Sequence, residues 1–276
     1  MFTMFHTYCQ RSGGSDVSRT ETRATAMGSS DNFGPEHKLD GLKWFPSATD
    51  SDVSVALART GDPAQGSRSL SLFFVPLRLP LLRDTSSSAP SPVSNGILLH
   101  RLKNKIGTHV LPTAELSIND STAYLLGPLN QGVKNIAPVL NVTRLYSGLS
   151  SVGYLRKCLA IASAHANVRA IGGGKQLLKD TPLHIAQLAS INLIYRAMTH
   201  LTFGAIALLG KGECGVATTE EQQRLRLLTP VVKAFTSEKC CSAMESAMTT
   251  LGGQGYMKEI GIGLYIHRYF PKDLFS

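Results

Sequence analysis

Apolar and polar positions change their period partway along the chain. Between residues 12 and 126 the apolar residues fall in short runs: Asp52–Leu57, Ser69–Val75, Gly96–Leu102 and Thr113–Ile118. Turn formers separate them, at Gly61-Asp-Pro63, Asn95-Gly96 and Asn119-Asp120. Short runs with this punctuation predict an antiparallel β-domain. From about residue 129 the period becomes helical. Tyr146, Leu149, Val152, Leu155, Leu159 and Ala162 recur every three or four residues and predict one long helix. A second helix is expected after Thr181-Pro182, a cap and first-turn pair, with Leu188, Ile191, Ile194, Met198 and Leu201 on its buried face. A third spans about 219–251, with Thr229-Pro230 able to kink or restart it and Gly252-Gly253 ending it. The fold class is therefore α+β, a β-domain followed by three long helices. Three helices leave an apolar seam that a fourth would ordinarily close.

The Ser/Pro-rich stretch 83–95 reads as a loop inside the β-region, not as a boundary. The chain divides into an unmatched leader at 1–11, a β-domain at 12–126 and a helical domain at 127–276. No apolar run reaches the length of a membrane span, since the stretch Leu201–Leu209 is broken by Gly204 and flanked by His200 and Lys211.

Composition narrows the class. With 43% hydrophobic and 17% charged residues the chain fits a globular domain with a substantial core. The net charge of +9 admits nucleic acid, anionic membrane or acidic ligands as partners, but the basic residues are scattered. The densest group, His100-Arg-Leu-Lys-Asn-Lys105, reads as a charged strand edge. The cysteines are Cys9, Cys158, Cys214, Cys240 and Cys241, an odd number without a ligand spacing. They predict neither a disulfide framework nor a metal site, and a reducing compartment is the default. Residues 1–15 lack acids and faintly resemble a transit peptide, but Arg11 is their only arginine, so an intracellular location is expected, cytoplasmic rather than mitochondrial. Gly172-Gly-Gly-Lys175 is followed by Gln176 and is not preceded by a strand, so it is a loop and not a phosphate-binding loop.

Five stretches carry a family resemblance in order along residues 12–270. They are Ser12-Gly-Gly-Ser-Asp-Val17 with Arg19 and Thr22, Lys43-Trp-Phe-Pro-Ser-Ala48, Arg101-Leu-Lys-Asn-Lys-Ile-Gly107, Thr143-Arg144, and Leu251-Gly-Gly-Gln-Gly-Tyr256. Together they resemble the acyl-CoA dehydrogenase superfamily, and its AidB-like branch in particular. The resemblance implies a β-barrel middle domain followed by three helices of a four-helix C-terminal bundle. It implies FAD as cofactor and oxidation of the CH–CH group of acyl-CoA thioesters, by an oxidoreductase that is a homo-oligomer when folded.

Residue by residue, the resemblance places Trp44 over the flavin ring and gives Ser47 a hydrogen bond to it. Arg169, with Gly172, is similar to a segment that meets the FAD pyrophosphate of a partner subunit. Gly252 and Gly253 would allow close approach to that FAD. Ser15 would lie near the CoA part of the substrate and Arg144 beside the substrate site. The usual catalytic glutamate is expected beyond Ser276, and Thr143 stands at the alternative position of the base, so no catalytic residue is assigned. An incomplete form of the family, read as shortened at both ends, is thus the expectation. The alternatives are an AidB-like nucleic-acid-associated flavoprotein and a non-catalytic fragment.

Overall fold

The computed structural model describes residues 4–7, 16–79, 93–105 and 107–269. Two compact units are present, Met1–Pro138 and Val139–Ser276.

The first unit is built on a seven-stranded sheet. Its strands are β1 (Met4–Thr7), β2 (Arg23–Asp31), β3 (Gly34–Lys43), β4 (Val53–Arg59) and β5 (Leu70–Pro76). A two-residue ladder joins β6 (Arg78–Leu79) to β7 (Val93–Ser94), and β8 (Ile97–Leu102) and β9 (Ala114–Leu126) complete the unit. The order is β1-β4-β2-β3-β9-β5, with β8 also on β9 and β4 also on β5. The pairings thus run round a ring, joined between β2 and β4 by the single parallel pair Arg23↔Arg59. That contact and the parallel β1–β4 ladder are departures from the antiparallel expectation. All seven residues of β4 are buried, because strands flank it on both sides. Its Ala56 and Ala58 share a face and pack with Phe73, Val75, Leu39, Ile118 and Ala123.

Two polar devices tie the loops to this sheet. Arg59 is only 8% exposed. Its guanidinium donates to the carbonyls of Ser18, Thr20 and Gly66 and to the Ser69 hydroxyl. Lys43 is fully buried and its Nζ donates to the Leu57 carbonyl at 2.8 Å. At the far end of the unit the chain turns into a helix on Asn130, whose amide donates to Ser71 Oγ at 2.7 Å. Gly132 follows because a Cβ there would stand 2.6 Å from the Ser71 backbone and 2.7 Å from Leu57 Cδ2.

The helices are α1 (Gly132–Val168), α2 (Pro182–Glu213), α3 (Thr219–Thr249) and a short α4 (Ile262–Tyr269). A two-stranded hairpin, β10 (Ala170–Ile171) with β11 (Gln176–Leu177), lies between α1 and α2. Val152, Leu155, Leu159 and Ala162 of α1 enter a core with Leu188, Ile191 and Met198 of α2, Met244 and Ala247 of α3, and Ile262 and Ile266 of α4. Tyr146 does not share that stripe and is 64% exposed. α3 runs unbroken through Pro230. Its start is a capping box, Thr218 and Glu221 each bonding the other's amide.

The second helix corrects two expectations. Pro182 does occupy its first turn, but the Thr181 hydroxyl makes no capping bond and is buried without a partner. By length and composition α2 is also apolar enough to cross a membrane, with mean hydropathy 1.3 over its best window and 17% of that window buried. Gly204 does not end the apolar run, because a glycine inside a helix lowers its stability without changing its hydropathy by much. Leu183, Leu193 and Phe203 are exposed along it.

Candidate functional site

Two of the candidate flavin residues, Trp44 and Ser47, fall in one corner of the β unit. Strand β3 ends at Lys43, which releases Trp44 from the sheet. The chain after it is held to the start of β9: Ala48 N–H donates to Pro112 O at 2.7 Å, and Ala114 N–H donates to Pro46 O at 3.0 Å. This brings the Ser47 and Thr113 hydroxyls to 2.9 Å. The chain leaving β8 closes the corner, with Lys103 N–H donating to Thr113 O at 2.7 Å.

Lys103 is the residue that the sequence pattern did not single out. Its Nζ sits 3.3 Å from the centroid of the Trp44 ring. A cation at that distance is attracted by the negative face of the indole. The same ammonium pairs with Glu115, and Arg101 brings Nε and Nη2 to the same carboxylate oxygen at 2.7 Å each. Hydrogen bonds from Arg101 and then Lys103 hold the Glu115 carboxyl down at about 2, and Glu115 in turn raises the Arg101 guanidinium. Glu115 therefore stays charged and fixes Lys103 against the indole.

Lys105 donates to the carbonyls of Thr108 and Leu111, at 2.9 and 2.7 Å, and to Thr113 Oγ1 at 3.0 Å. Burial lowers its affinity for a proton. The available signal was the spacing: Arg101, Lys103 and Lys105 alternate with period two, which places them on one side of extended chain.

The other candidates lie in the helical unit or outside the described residues. Ser15, with Gly13 and Gly14, is outside them. Arg144 lies within α1 and is half-buried. Thr143 before it donates to Leu140 O at 2.9 Å. Arg169 follows the last turn of α1, and its carbonyl accepts from Leu178 N–H at 2.8 Å, which ties it to the β10–β11 hairpin. Its side chain is exposed. One turn earlier, burial and then the charges of Arg169 and His184 hold His165 towards its neutral form. Gly252 and Gly253 are exposed just past α3, and a Cβ on either would meet nothing within 4 Å. Gly252 has φ +61°, a conformation that favours glycine. Among the described residues no group of three His, Cys, Asp or Glu could hold a metal ion.

The α+β order, the strand ring and the helical bundle are the architecture of the acyl-CoA dehydrogenases. A family model described as "Acyl-CoA dehydrogenase, C-terminal domain" matches residues 130–270. "Acyl-CoA dehydrogenase family member 11" of Caenorhabditis elegans is 36% identical over 257 residues, covering 92% of this chain and 39% of that protein. The structure of that nematode protein in complex with C11-CoA superposes with a TM-score of 0.81 at 35% identity, covering 96% of this chain and 43% of the other. A structure described as "Bd2924 apo-form" gives a TM-score of 0.85 at 38% identity over 100% of this chain and 52% of its own. The putative acyl-CoA dehydrogenase AidB of Escherichia coli is 29% identical over 250 residues, covering 91% of this chain and 41% of that protein. The chain belongs to the acyl-CoA dehydrogenase family. It spans less than half the length of the curated relatives named here.

Proposed function

We propose that this chain carries the flavin-facing part of an FAD-dependent acyl-CoA dehydrogenase-like oxidoreductase of the AidB-like branch, acting on the CH–CH group of an acyl-CoA thioester. The observation that carries this reading is the corner at Trp44. A half-buried indole, two hydroxyls 2.9 Å apart at Ser47 and Thr113, and a fixed cation at Lys103 suit a planar heteroaromatic ring with polar edges. In this reading Trp44 covers the ring and Ser47 bonds its edge. Arg169 and the Cβ-free backbone at Gly252 and Gly253 are assigned to the diphosphate of a partner subunit's FAD: Arg169 makes no ion pair among the described residues, and a guanidinium fork matches phosphate oxygens. FAD, when bound, supplies the hydride acceptor for α,β-dehydrogenation. The chain's own residues bind and orient it.

Ser15 and Arg144 are assigned to substrate. The nematode relative bound to C11-CoA supports an acyl-CoA as the class of ligand. Thr143 is no base at neutral pH, and no residue of this chain is assigned that role. Exposed Leu193 and Phe203 on α2 support a homo-oligomer. The nucleic-acid alternative gains nothing from the family model or from the nematode and Escherichia coli relatives, whose names are those of acyl-CoA dehydrogenases. The test is the visible absorption spectrum of the chain as it elutes from a sizing column after addition of FAD. Flavin bands under a discrete peak are expected. A colourless peak at saturating FAD overturns the assignment.

A further inference from the structure

The helical unit holds a second feature that the flavin reading does not use. A groove of about 530 Å³ runs between α1 and α2, within the size range of small-molecule sites. Its floor is apolar: Leu159 and Leu188 are 7% and 8% exposed, and Ile185 extends it at one end. Its lining residues on α2 run from Ile185 to Arg196, a track of about 16 Å at the rise of an α-helix.

Two arginines line this groove. Arg156 reaches from α1 to the Tyr195 ring of α2, its Cζ 5.9 Å from the ring centroid, and Arg196 is the next residue. Neither arginine side chain makes an ion pair or a hydrogen bond among the described residues. Two unpaired cations at an apolar groove are a charge pattern complementary to one anionic head on an apolar body.

We propose that this groove binds a free aliphatic carboxylate, its head on Arg156 and Arg196 and its chain along Leu188 towards Ile185. The guanidinium forks match a carboxylate, and the Tyr195 ring holds Arg156 in place for it. Asn192 and Ser163 on the rim supply further donors without breaking the apolar floor. The carboxylate, not a neutral alcohol, is the preferred ligand, because only the anion uses both arginines.

The test is isothermal titration of the full chain with decanoate, with decanol and decyltrimethylammonium as the matched neutral and cationic probes. Saturable one-site binding of decanoate is expected, at least tenfold tighter than either matched probe. Replacing both arginines (R156Q and R196Q together) is expected to weaken decanoate at least tenfold while leaving decanol unchanged. A second variant, Ala189→Leu, fills the groove from an exposed position on α2 and is expected to abolish binding of both, with the helical circular dichroism retained. Equal binding of the three probes, or decanoate binding untouched by the arginine pair, overturns the proposal. So does an absence of saturable binding, and so does a double arginine variant that changes only the oligomeric state, since that result makes the groove an interface between copies. The test uses no flavin, so its outcome is independent of the assignment at Trp44.

Discussion

Removing the Lys103 ammonium from the face of Trp44 gives a quantity that can be isolated. At 3.3 Å from the ring centroid, with the Lys103 side chain only 13% exposed, the contact lies between the exposed and the desolvated cases. A cation–π pair in that range contributes about 1–2 kcal/mol. Lys103→Met alone costs more than this, because Glu115 also loses one of its two cations. A double-mutant cycle with Trp44→Leu cancels that common loss and leaves the coupling between indole and ammonium. The assay is amide hydrogen exchange at Lys103 and Ala114, whose N–H groups bond Thr113 O and Pro46 O and so report on the corner itself. Reading single amides keeps the measurement in the β unit, where one unfolding curve for a chain of two units would not. A coupling energy of about 1–2 kcal/mol is expected. A value below about 0.3 kcal/mol, the additivity limit for independent sites, refutes the claim that the Lys103 ammonium interacts with the indole.

Acid stability offers a second check, through Glu115. Its carboxyl titrates near 2 in the folded chain against an ordinary 4.5, so its ion pairs stabilise fully above pH 4.5 and that contribution fades as pH falls towards 2. The stability gap between the wild type and Glu115→Gln should be open at neutral pH and closed below pH 2; a gap independent of pH would show that the pairing is absent in solution. Thiol reactivity tests the helical core: burial pushes Cys158 and Cys240 up to about 12, whereas Cys214 is exposed. At pH 8 a thiol reagent followed by peptide mapping should label Cys214 quickly, and Cys158 and Cys240 only on unfolding. Labelling of Cys158 at the Cys214 rate would contradict the packing of α1 described here.

Periodicity made the helices legible because each buries a continuous stripe. Leu188, Ile191 and Met198 are buried where the three-four spacing puts them. Tyr146 broke the pattern since a spacing rule reports which residues share a face, not where along the helix that face meets a neighbour. The strands with buried faces were also readable, as at β4 and β5. The β2–β3 hairpin was not: β2 is almost wholly exposed, so no apolar alternation marks it. At the corner, the Lys-Trp-Phe-Pro-Ser motif placed Trp44 and Ser47 together because they are neighbours in sequence. Lys103 just past β8 and Glu115 in β9 are brought together by the register of β8 on β9 (Leu102 opposite Ala114), which no short motif records. Long-range register is the information that a single sequence withholds.

Strand β9 has a consequence for how the protein comes into being. It pairs with β3, β5 and β8, and of these β3 and β5 lie far back in the chain, as Glu36 opposite Tyr124 shows. Contacts of such long sequence separation form late, because the chain entropy of closing the intervening loop is lost before any pairing offsets it. During synthesis β3 and β5 must therefore wait, with edges open, until the ribosome has released residue 126. The α2–α3 hairpin, by contrast, is local and can zip as it emerges. The nascent β unit is accordingly the stage at which this polypeptide most needs shielding from other chains.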